Sequence, residues 1–124
     1  MSSMNRLKLL LPVFALLVAA CAGGLPEVTP DAQRVFAARW PDAGPESLNS
    51  GRALFIQRCS GCHALPSPAK HDESGWQHTL TVMGGKAHLD PAGREAVLRY
   101  LTLASDMRRA ALSPRKDVAA QTAE

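Results

Sequence analysis

The sequence predicts an all-α domain built from three main helices between residues 47 and 105. Three stretches carry this reading: Leu48–Arg58, Gly75–Met83 and Asp90–Ser105. In each, apolar residues recur at helical spacing, and a residue able to cap a helix stands near its start. The intervening segments hold Gly61, Pro66, Pro68, Gly84 and Gly85, residue types that punctuate helices. A length of 124 residues fits one domain. Aromatics make up only 5% of the chain, so its apolar core is thin and an additional source of buried surface is expected.

In the first stretch Leu54, Phe55 and Arg58 follow Gly51 at helical spacing, and Asn49 or Ser50 is the expected cap. In the second, Trp76, Thr79, Leu80 and Met83 share a face, Ser74 caps, and Gly84-Gly85 ends the helix. The third is the clearest. Asp90 caps it, Pro91 takes the first helical position, and Val97, Leu98, Leu101 and Ala104 form the apolar stripe. After Ser105 the chain turns polar and alanine-rich, and residues 106–124 are expected to be a disordered tail.

Between the first two helices lies Cys59-Ser60-Gly61-Cys62-His63. Cys-x-x-Cys-His is the attachment signature of c-type haem. Two thiols three positions apart can each add to one haem vinyl group, and the next imidazole then lies under the iron as an axial ligand. Competing readings are a dithiol redox pair, or a zinc site of Cys59, Cys62, His71 and His78. The latter lacks the usual His-x3–5-His spacing.

On these residues the chain resembles the small class I monohaem cytochromes c, over about residues 48–103. The Gly51-Arg52-x-Leu54-Phe55 run resembles that family's first helix, and Tyr100-Leu101 its closing helix. The resemblance implies one covalent haem held by Cys59 and Cys62, with His63 as one iron ligand and Met83 as the other. It also implies that Tyr100 meets the Gly51/Phe55 side, and that a proline carbonyl, Pro66 or Pro68, orients His63. A thioether ligand raises the reduction potential; His71, His78 and His88 are the rival sixth ligands, with His88 foremost. With both axial positions filled, the expected role is single-electron transfer between redox partners, not catalysis. A haem-bearing subunit of an oxidoreductase, or a gas-binding protein with a vacant sixth position, is the alternative.

The chain opens with Arg6 and Lys8, then the 12-residue apolar run Leu9–Ala20, then Cys21. Such an order is a secretory leader, and Val18-Ala19-Ala20-Cys21 resembles the lipobox of bacterial lipoproteins. The resemblance implies a signal peptide over residues 1–20, lipid on Cys21, and a periplasmic domain tethered to membrane. Ala22, in place of an aspartate, leans towards the outer membrane. Residues 21–46, with Pro26, Pro30, Pro41 and Pro45, read as a tether, although Asp31–Trp40 has the pattern of a short helix.

The formal charge of +3 falls once the leader is removed, because Arg6 and Lys8 lie within it and 12 basic residues then face 11 acidic ones. Lysine and arginine form no stripe, which argues against a nucleic-acid partner. No nucleophile–base pair, acidic dyad or phosphate loop is present to support hydrolysis or transfer chemistry.

Overall fold

A computed structural model describes residues 24–121. The leader and Cys21 lie outside the described residues. Among the described residues the chain is all-helical, with no strand: α1 Pro30–Arg39, α2 Ser47–Cys59, a 3-10 turn Pro68–Lys70, α3 Glu73–Met83 and α4 Pro91–Gln121. No helix among them is long and apolar enough to cross a membrane.

Local chemistry sets most of the helix starts. Thr29 caps α1, its hydroxyl accepting from the Ala32 N–H at 3.2 Å, with Pro30 at the first position. Asp90 caps α4 as its sequence position predicts, accepting from the Gly93 N–H at 2.7 Å. For α3 the cap is Asp72, not Ser74. Asp72 Oδ1 accepts the Gly75 N–H and the Ser74 hydroxyl, each at 2.9 Å. These bonds, the Gly75 bond first, hold the Asp72 carboxyl below its ordinary pKa. α2 starts ahead of Asn49 and Ser50 and has no side-chain cap. A turn before it already coils the chain, with Ser47 N–H bonded to the Gly44 carbonyl at 2.9 Å.

α4 is the central element and packs on α2, the 3-10 turn and α3. Its stripe of Val97, Tyr100, Leu101 and Ala104 is buried, and Leu98 is half-buried. The crossing with α2 is close. A Cβ added to Gly51 would stand 2.1 Å from the Ala96 carbonyl oxygen and 2.9 Å from the Tyr100 Cβ. Phe55 lies one turn further along, with its ring 6.3 Å from both Tyr100 and Trp76. The Trp76 indole donates to the Pro68 carbonyl at 2.9 Å, and the Ser105 hydroxyl to the His71 carbonyl at 2.8 Å. These two bonds join the 3-10 turn and the start of α3 to the core.

Where the sequence suggested a tether, residues 24–46 are docked. Phe36 is 1% exposed and Ala32 is buried with it. Tyr100 Oη and Arg52 Nε both donate to the Pro26 carbonyl at 3.1 Å, and Arg108 donates to the Gly24 carbonyl. Arg39 bonds Glu73 of α3 at 2.8 Å and Asp106 of α4 at 2.9 Å, with its guanidinium over the Trp40 ring. The physical reason is the thin core: with few aromatics elsewhere, α1 supplies apolar surface that α4 would otherwise leave in water. The region beyond Ser105 also differs from expectation. α4 continues through Gln121, in keeping with the helix preference of alanine.

Burial pushes the Tyr100 phenol above its ordinary pKa, while Arg52 and Arg108 pull it partly back. The unfolded chain therefore loses that proton first, and stability declines as pH rises above the ordinary phenol value of about 10. The α2–α4 crossing leads to a sharper expectation. Gly51→Ala forces a backbone carbonyl aside and lowers stability by about 3 kcal/mol or more. Gly85→Ala, whose Cβ meets nothing within 4 Å, leaves stability unchanged or raises it by up to about 1 kcal/mol. Chemical denaturation of the two variants beside the parent measures both.

Candidate functional site

The Cys-x-x-Cys-His motif begins on the last residue of α2. Cys59 ends the helix, and Ser60 closes it by donating its hydroxyl to the Ile56 carbonyl at 2.6 Å. The chain then leaves the helix, so Cys62 and His63 are exposed and Cys59 is half-buried. Both cysteines are free thiols.

Their position bears on the dithiol alternative. Reactive Cys-x-x-Cys pairs depend on a depressed thiol pKa, of the kind a helix N-terminus supplies. Here Cys59 sits at a helix C-terminus, whose partial negative charge disfavours a thiolate. Burial pushes the Cys59 thiol above its ordinary pKa, and Cys62 beside it pushes the same way. Such a pair is poorly suited to thiol–disulfide exchange. As for the zinc set, His71 and His78 do not line the cleft that Cys59 and Cys62 share.

Cys59, Cys62, His63 and Met83 line one cleft that is open to solvent. Its apolar walls come from Phe55 of α2 and Trp76 and Leu80 of α3, all buried from the other side by the core. α3 presents Trp76, Thr79, Leu80 and Met83 to the cleft, the face its spacing predicts. Met83 is 42% exposed. It is therefore not a core residue but a thioether held at the cleft surface.

No family model, curated protein or solved structure matches the chain.

His63 Nδ1 lies 2.9 Å from the Ala64 carbonyl. With the proton on Nδ1, this bond orients the ring and leaves the Nε2 lone pair free for a metal. The acceptor here is neither Pro66 nor Pro68; the Pro68 carbonyl accepts from the Trp76 indole. The other histidines do not line the cleft. His71 packs edge-on against Trp76 at 4.9 Å. His78 is exposed, and His88 lines a separate groove with Asp90 and Ser47. His88 also adopts φ 53°, the left-handed conformation that closes the turn after α3.

The glycines after Met83 serve this turn and not the cleft. A Cβ on Gly84 would stand 2.7 Å from Arg94 Nε and 2.5 Å from the Leu80 carbonyl oxygen, while Gly85 faces open space. Lys86 and Ala87 reach the cleft instead, residues that sequence reasoning missed. The available signal was their spacing of three and four from Met83, which continues the same face past the helix end. Arg58, one turn beyond Phe55, also lines the cleft.

The thiol environment has a direct consequence for alkylation of the chain with both cysteines free. Cys62, being exposed, reacts with iodoacetamide before Cys59. The Cys59 rate keeps rising at pH values above the ordinary thiol pKa, because its thiolate forms later. Mass spectrometry of partly alkylated protein across a pH series reads the order and the midpoint.

Proposed function

We propose that the cleft holds one haem c and that the protein is an exported, membrane-anchored carrier of single electrons. One observation carries this reading: the two thiols, the imidazole and the thioether of Cys59, Cys62, His63 and Met83 share a single apolar-walled cleft. The set is the one that covalent haem attachment with His/Met ligation requires, and no other cleft among those described combines such donors.

In this reading Cys59 and Cys62 would hold the group through thioethers, whose formation by S–H addition to vinyl groups needs thiols and no oxidant. His63 offers Nε2 while Ala64 holds its opposite nitrogen. Met83 offers its sulfur from the end of α3. Phe55, Trp76 and Leu80 exclude water from the cofactor face, which favours a stable potential. Arg58 and Lys86 place positive charge at the rim, where propionates would meet it. Bound there, the haem supplies one-electron ferrous/ferric chemistry, and the open side of the cleft lets redox proteins approach it. Cys21 carries the lipid that keeps the domain on the periplasmic face of a membrane, with the outer membrane favoured by Ala22.

Protein isolated from cells able to attach haem keeps its pigment after denaturation, and Cys59→Ala with Cys62→Ala makes all pigment extractable into acidified solvent. The oxidised protein shows the weak far-red band of a Met–iron bond, and Met83→Ala removes it. Absence of that band, with ready CO binding by the reduced parent, would overturn the two-ligand reading. For the anchor, Cys21→Ser abolishes lipid labelling of the protein; labelling that persists in this variant would rule Cys21 out.

A further inference from the structure

Cys21 lies three positions before Gly24, whose carbonyl is held by Arg108 of α4. Two positions on, the Pro26 carbonyl is held by both Tyr100 and Arg52. Leu25 and Val28 pack against the core between and beyond these bonds. The chain is thus fastened to the domain from its first described residue. Three residues reach at most about 11 Å, whatever their conformation. A lipid on Cys21 therefore lies within about 11 Å of Gly24 and of the α4 segment that binds it.

That segment has the composition of a membrane-facing surface. Met107 and Leu112 are exposed large apolar residues, 37% and 49% exposed. Arg108 and Leu112 are four residues apart and share a helix face. Between Met107 and Ser113 the sequence has Arg108 and Arg109 and no acidic residue, although Asp72 of the α3 cap lies near enough to Arg109 to feel its charge. Asp106, just before, has its charge engaged by Arg39. Glu27 is the one acidic side chain lining the groove beside Met107. That groove shares no residue with the cleft of Cys59, Cys62, His63 and Met83.

We infer that the α4 surface around Arg108, Arg109 and Leu112 rests on an anionic lipid headgroup layer, so that the domain is held at the bilayer in one orientation instead of swinging on a tether. The inference rests on the reading of Cys21 as the lipidated residue. The basic groups meet headgroup phosphates, Met107 and Leu112 meet the interface below them, and the cofactor cleft remains on a separate surface, open to water-borne redox partners.

The test uses full-length, lipidated, haem-loaded protein in vesicles of phosphatidylcholine and phosphatidylglycerol. Leu112→Cys and Thr81→Cys, both at exposed positions, each receive a nitroxide. The label at 112 is shielded several-fold from an aqueous relaxation agent when vesicles are present, and the label at 81 is unchanged. Equal aqueous access at both positions, with the protein still vesicle-bound, overturns the orientation and leaves the anchor intact. Failure of the parent to join vesicles at all overturns the anchor and this inference together. A second arm is independent of lipid: Cys21→Ser protein partitions onto vesicles containing phosphatidylglycerol and not onto phosphatidylcholine alone, and Arg109→Gln weakens that partition about fivefold. Equal partition onto both vesicle types counts against the surface itself.

Discussion

The crossing of α2 and α4 at Gly51 is the contact on which the rest of the structure depends. Without a side chain at that position, the Ala96 carbonyl approaches the α2 backbone closely, and Tyr100 lies against the same glycine. This distance brings Phe55 within reach of both Tyr100 and Trp76. It also fixes how the end of α2, and with it Cys59, Cys62 and His63, lies against the rest of the core. A helix pair held further apart would carry the motif away from the α3 face that bears Met83.

A small, aromatic-poor chain has little apolar surface with which to build such a frame, and the structure recruits it from an unexpected place. α1 covers the exposed flank of α4 with Ala32 and Phe36. Carbonyls at Gly24 and Pro26 are satisfied by arginines and a tyrosine from the elements beneath them. Single exposed ion pairs such as those of Arg39 contribute little on their own. Here one guanidinium links α1 to both α3 and α4 and covers Trp40, so its loss would loosen three elements at once. In the proposed function, this packing converts what would be a flexible leash into a rigid mounting.

The cleft is left lined by apolar residues in a protein that can ill spare them. Trp76, Leu80 and Phe55 each give one side to the core and another to the cleft. These three are already buried, so the apolar lining that a group in that space would newly cover is chiefly Met83, 42% exposed. Cys59, at a helix C-terminus and raised by burial, holds its proton to higher pH than an ordinary thiol, which slows formation of a stray disulfide.

Much of the chain's character was legible in the sequence by itself. Helical spacing marked α2, α3 and α4 because each has one buried face, and Asp90-Pro91 announced the start of α4 through local hydrogen bonding alone. The motif Cys59–His63 and the α3 face of Trp76, Thr79, Leu80 and Met83 were visible for the same reason: their significance lies in spacing along one element. Contacts between distant segments left no such trace. Nothing near Pro26 signals that Tyr100, 74 residues away, will bond its carbonyl. Spacing could not tell docked α1 from a spacer, nor decide between Asp72 and Ser74 as a cap. Those outcomes depend on which surfaces α4 leaves uncovered and which backbone groups lie within reach, and both are set only when the helices come together.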